Sequence, residues 1–216
     1  MFQNRTDAAH RLAERLARYR GDDGLVLAIP RGGVPIGVAV ARALGFPLEV
    51  ALAKKIGHPN NREYAISVVT LAGAAVNENA AGVSETYIRQ ETERLQAHLR
   101  ASLRLFMAGR PLTPLAGKTV VVVDDGIATG HTMAGTVQAV RAGRPGKLVV
   151  AVPVAPPHAV QLLRPLVDEL VCLLIPPDFR AVGQYYEDFG QVSDEEVVRL
   201  LRASAGPEQG RNSGDS

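Results

Sequence analysis

The chain has 216 residues, 46% hydrophobic and 21% charged, the size and balance of one soluble globular domain with or without an appendage. Twenty-four lysines and arginines against 22 acids leave a net charge of +2, and aromatics make up 5% with no tryptophan, which argues against a dedicated nucleic-acid binder or a stacking platform for single strands. A single cysteine, Cys172, excludes an internal disulfide framework and a cysteine-rich zinc site. No run approaches the ~20 apolar residues that span a bilayer, and the polar stretch from Met1 to His10 lacks signal-peptide character, so the expected location is the cytoplasm.

In chain order, the spacing predicts an opening helix from about Asp7 to Tyr19 with Thr6 as N-cap. A buried strand follows at Leu25 to Ile29, then the loop Pro30-Arg31-Gly32-Gly33 and a helix from Val34 to Leu44 closed by Gly45. Leu48 to Ala53 reads as a second strand running into a charged loop, Lys54 to Arg62. A β-rich piece, Ala65 to Val76, precedes a long polar helix from about Ser84 to Met107. Thr119 to Val123 carries four successive valines, as a strand buried on both faces would. Lys147 to Val154 and Glu169 to Leu174 are two further strands, and Ser193 with Glu196 forms a capping box for a last helix, Asp194 to Ala203. From residue 204 to 216 the composition is that of a disordered tail.

Apolar runs alternating with helical patterns predict an α/β fold of three layers, a mostly parallel central sheet with flanking helices. Ligands of such sheets sit beyond the carboxyl ends of the strands, where three unusual loops of this sequence fall. The most informative is Asp124-Asp125-Gly126-Ile127-Ala128-Thr129-Gly130-His131-Thr132, after the valine strand. Capping of the next helix would account for one aspartate but not for the pair. Two adjacent carboxylates need a cationic or donor-rich partner, and a vicinal diol or Mg²⁺ supplies one. Thr129, Gly130 and Thr132 then open a helix, whose free N–H groups and positive dipole end suit a phosphate. A diol reader followed by a phosphate cradle describes a ribose 5-phosphate site. Neither G-x-x-x-x-G-K-[ST] nor G-x-G-x-x-G is present here.

On the segment from Val120 to Thr132 the sequence resembles the type I phosphoribosyltransferases, whose signature is four apolar residues, an acidic pair and a small-residue loop. Gly126 departs from the aliphatic residue usual at its position. The resemblance implies that Asp124 and Asp125 bind the ribose hydroxyls of phosphoribosyl pyrophosphate, with Mg²⁺ as cofactor, and that Ala128, Thr129, Gly130, His131 and Thr132 hold its 5-phosphate. It implies that Arg31, Gly32 and Gly33 form the pyrophosphate loop, with a cis Pro30–Arg31 peptide. A flexible loop after the second strand would close over the pyrophosphate, which makes Lys54 and Lys55 leaving-group contacts and brings Glu63 toward the site. Pro176 to Phe189 resembles the base-binding hood of purine-type members: Phe179 would stack on the base, and Glu187 or Asp188 would help hold magnesium.

The resemblance covers about Leu25 to Val154, more weakly 175–190, within a single domain of residues 1–203. The opening helix and 175–190 form a small hood, and an insertion of about 83–117 has no family counterpart. Two departures concern the acceptor. Members acting on 6-oxopurines place an aspartate where this chain has Ala128, and a lysine where it reads Val152-Pro153-Val154-Ala155. A hypoxanthine or guanine enzyme of the usual kind is therefore disfavoured, and the acceptor is a nucleobase-like molecule of open identity. The alternative is a non-catalytic sensor of phosphoribosyl pyrophosphate or a nucleotide. A third reading makes the long helix a homodimer element through Leu95, Leu99, Leu103 and Phe106. Cys172, in an apolar run, reads as a core residue, and neither a histidine metal motif nor a G-x-S-x-G elbow occurs.

Overall fold

The computed structural model describes residues 1–76 and 80–205, without the side chains of Glu63, Ala75 and Val76. The expectations for Glu63 and for the tail beyond Ala205 lie outside the described residues. The elements are α1 (Arg5–Leu16), β1 (Gly24–Ala28), α2 (Gly33–Leu44), β2 (Leu48–Val50), β3 (Ala53–His58), β4 (Asn61–Thr70), β5 (Gly73–Val76), α3 (Glu85–Met107), β6 (Thr119–Val123), α4 (His131–Ala142), β7 (Lys147–Val154), α5 (Pro157–Leu163), β8 (Glu169–Leu174) and α6 (Asp194–Ser204). Among the described residues they form a five-stranded sheet of order β2-β1-β6-β7-β8 and a three-stranded one of order β3-β4-β5.

Every neighbour pair in the larger sheet is parallel. The valine run shows why. Strand side chains alternate between faces, so Val121 and Val123 join Val26, Ala28, Val149 and Ala151 under α1, α2 and α6, while Val120 and Val122 join Leu25, Leu27, Leu148 and Val150 under α4 and α5. A strand flanked by helices on both faces must be apolar at every position. This is the three-layer α/β fold expected from the sequence.

Several boundaries differ from expectation. Asn4, not Thr6, caps the opening helix, its Oδ1 accepting from Thr6 N at 2.9 Å and Asp7 N at 3.0 Å, so the helix starts at Arg5. The second strand stops at Val50, and the charged stretch after it is not a loop but the antiparallel β3–β4 pair. Ile56, Ile66 and Val69 of that pair bury against Leu95 and Leu99 of α3. Phe106 and Leu103 pack onto the main core. The stripe expected to bind a second copy is therefore covered by the chain's own hairpin and core. Helix α5 was not foreseen, and α6 extends one residue past Ala203.

Candidate functional site

The loops after β1 and β6 lie side by side at the carboxyl end of the sheet, because these strands pair in register from Gly24 and Thr119 to Ala28 and Val123. Ile29 N donates to Val123 O at 2.9 Å, extending the ladder into the loops. The Pro30–Arg31 peptide is cis, as expected. A Cβ on Gly32 would collide with Asp125 Oδ2, and one on Gly33 would stand 2.9 Å from Val123 O and 3.0 Å from Asp124 Cα. Glycine at both positions is what allows the two loops to touch.

Asp124 and Asp125 sit at the end of β6. Asp124 Oδ1 accepts from Asp125 N at 2.8 Å. Arg5 of α1 donates to Asp125 Oδ2 from Nε and, as an ion pair, from Nη2, each at 2.8 Å. The same guanidinium lies 4.0 Å from the centre of the Phe189 ring and donates from Nη1 to Gly190 O at 2.7 Å. Tyr186 OH donates to Asp125 O at 2.6 Å. Burial, and then the neighbouring Asp125 charge, push the Asp124 carboxyl well above the usual carboxylate range; the Asp125 N–H works the other way. Burial raises Asp125 too, against the opposing pull of Arg5. The pair is thus held under electrostatic load, which a cation or two hydroxyl donors would relieve. Arg5 was missed in the sequence: it is 120 positions away in the chain, and no local motif marks it.

Gly126 leaves no space for the family's aliphatic residue. A Cβ there would come within 2.5 Å of Val182 Cγ1 and 3.0 Å of Val154 Cγ1. The loop then leads into α4 through Gly130, buried at φ 84°, with no side chain capping the helix. The first-turn N–H groups of α4 therefore keep their donors for something else. Ala128, Thr129 and His131 are exposed around this end, with Thr132 half-buried.

The remaining candidates fall into two groups. Arg31 and Lys54 line one cleft of about 400 Å³, together with Ala53, His98, Ser102 and Asp194. Lys55 is not among its lining residues, as strand alternation dictates for adjacent positions of β3. In the hood, Phe2 N donates to Tyr185 O at 2.8 Å, Glu187 N to Phe2 O and Asp188 N to Gln3 O, both at 2.9 Å, stitching the N-terminus to the segment 185–188. Phe179 stacks on Tyr185 with centroids 5.6 Å apart. Glu187 and Asp188 are exposed, and the described residues contain no gathering of three or more His, Cys, Asp or Glu side chains suited to a metal ion. The donor set suits Mg²⁺ of the kind held by one or two carboxylates plus substrate phosphates and water rather than by a complete protein cage. Cys172 donates to Leu174 O at 3.1 Å, and burial pushes its thiol up to about 11, as befits a packed residue rather than a nucleophile.

Residues 2–189 match the profile of the phosphoribosyl transferase domain. Two Mycobacterium tuberculosis proteins, Rv0571c of strain H37Rv and MT0597 of strain CDC 1551 / Oshkosh, both provisionally named phosphoribosyl transferases, are each 40% identical to this chain over 207 residues. The match covers 93% of this chain but 46% of theirs, so the chain spans about half the length of these relatives. The solved structure of TT1426 from Thermus thermophilus is 40% identical, with a TM-score of 0.84 over 95% of this chain and 99% of that one.

Proposed function

This chain belongs to the phosphoribosyl transferase domain family, and from that membership we propose that it transfers the ribose 5-phosphate group of phosphoribosyl pyrophosphate to a nucleobase-like acceptor and releases pyrophosphate. The observation that carries the reading is the contact of three parts at one sheet end: the paired Asp124 and Asp125, the uncapped start of α4, and the Arg31-Gly32-Gly33 loop packed against the pair.

In this reading Asp124 and Asp125 accept from the two ribose hydroxyls, and the N–H groups around Thr129 to Thr132 receive the 5-phosphate. The sugar is then held by its hydroxyls and its 5-phosphate, which leaves C1 free to meet the acceptor. A bond forms from an acceptor ring nitrogen to C1 as the bond from C1 to the pyrophosphate oxygen breaks. The nitrogen's proton passes to solvent, and the electron pair leaves with the pyrophosphate. Positive charge grows on the ribose and negative charge on the leaving group, so positioning and charge stabilisation do most of the work. Arg31 and Lys54 meet the leaving group. Asp124 and Asp125, with Glu187 or Asp188, would hold Mg²⁺ together with the pyrophosphate, and the ion would supply Lewis-acid neutralisation of the phosphate charge. The stacked, half-buried rings of Phe179 and Tyr185 would supply an aromatic platform for the base.

The test is pyrophosphate release from magnesium phosphoribosyl pyrophosphate with each nucleobase in turn and with none. Release that depends on one base is the expected result. If no base supports release although the ligand raises the melting temperature, the chain is a sensor rather than a transferase.

A further inference from the structure

The cleft of about 400 Å³ beside the Pro30–Arg31 loop has a second wall outside the sheet-end loops. That wall is α3. Leu95, Leu99 and Phe106 bury one face of the helix, which fixes its rotation, and the neighbouring positions His98 and Ser102, one turn apart, line the cleft opposite Arg31 and Lys54. His98 is exposed and Ser102 half-buried, and neither side chain has a hydrogen-bond partner among the described residues. The cleft thus gathers a guanidinium, an ammonium, an imidazole and a hydroxyl. Its one acid, Asp194, stands 3.6 Å from Arg31 Nη1.

This inference rests on the phosphoribosyl-transfer reading. We propose that α3 supplies His98 and Ser102 as direct contacts to the departing pyrophosphate, completing with Arg31 and Lys54 a diphosphate subsite. The chemistry is that of an acceptor-only polyanion, since the cleft offers donors from four side chains. A single phosphate would leave half of them unused, and the 5-phosphate already has the start of α4. The pair of Arg31 with Asp194 is largely exposed, so Arg31 can exchange that partner for a phosphate oxygen at little cost. Helix α3 then has a role in the reaction: it closes the side of the cleft through which the leaving group would otherwise meet bulk water.

Titration calorimetry on the full chain tests this with two probes, magnesium pyrophosphate and ribose 5-phosphate, for the wild type, His98→Ala, Ser102→Ala, the double variant and His98→Gln. The double variant should lose at least tenfold in pyrophosphate affinity while ribose 5-phosphate stays within twofold and the melting temperature is unchanged. His98→Gln, which keeps a donor, should recover part of the loss. Unchanged pyrophosphate affinity in the double variant, with a wild type that binds both probes, overturns this inference alone. Equal loss of both probes, or a lowered melting temperature, overturns it in favour of a structural role. A wild type that binds neither probe removes the underlying reading, and the inference with it.

Discussion

At the level of single residues, the most consequential is Asp124. Its carboxyl has a folded-state pKa above the unfolded one, from burial first and from Asp125 second. A raised acid contributes stability that is complete below the unfolded pKa and is lost as pH rises through the folded one. The ligand-free protein should therefore carry a penalty at neutral pH that Asp124→Asn removes. We predict that this variant melts above the wild type at pH 8 and that the gap narrows steadily toward pH 4, as followed by thermal denaturation. A gap independent of pH would show that Asp124 bears no such load. The Asp pair was legible in the sequence because four valines and a small-residue loop bracket it. Arg5 was not, because ion pairing between α1 and the end of β6 exists only once the hood has folded back, with Phe189 beneath the guanidinium.

Among elements, the clearest sequence signals came from burial on both faces. Thr119–Val123 and Lys147–Val154 fall where the apolar runs end, and the apolar run of the half-buried edge strand Glu169–Leu174 marks that strand as well. The β3–β4 hairpin was hidden because only Ile56, Ile66 and Val69 are buried against α3, while Lys54, Lys55 and Arg62 are exposed and read as a solvated loop. Helix α5 opens on Pro156-Pro157 and has seven residues, too short to show a period. The hairpin docks on α4 at Gly135, where a Cβ would lie 2.6 Å from Val68 Cβ. Gly135→Ala should cost about 1–3 kcal/mol in urea denaturation despite alanine's better helix propensity. Val68→Ala in the same chain should recover most of it. If Gly135→Ala instead stabilises the protein, the hairpin is not seated on α4 as described.

In the whole molecule, two apolar cores sandwich one parallel sheet and leave its carboxyl end to the loops. The sheet brings together residues from the loops after β1 and β6, α1 closes over them from the N-terminus, and the hairpin and α3 wall the cleft beside Arg31. This division of labour explains why the Asp124–Asp125 pair and the loop to Thr132 were readable from contiguous residues, whereas the hood contact of Arg5 and the α3 wall were not. They belong to pieces that meet only in three dimensions. The central claim is that the loop from Asp124 to Thr132 holds phosphoribosyl pyrophosphate. Its most direct test is calorimetric binding of magnesium phosphoribosyl pyrophosphate to the wild type and to the Asp124→Asn, Asp125→Asn double variant. The wild type should bind, and the double variant, still folded, should lose at least about tenfold in affinity, as expected when charge-assisted hydrogen bonds become neutral ones. Equal affinity in the two proteins would contradict the claim.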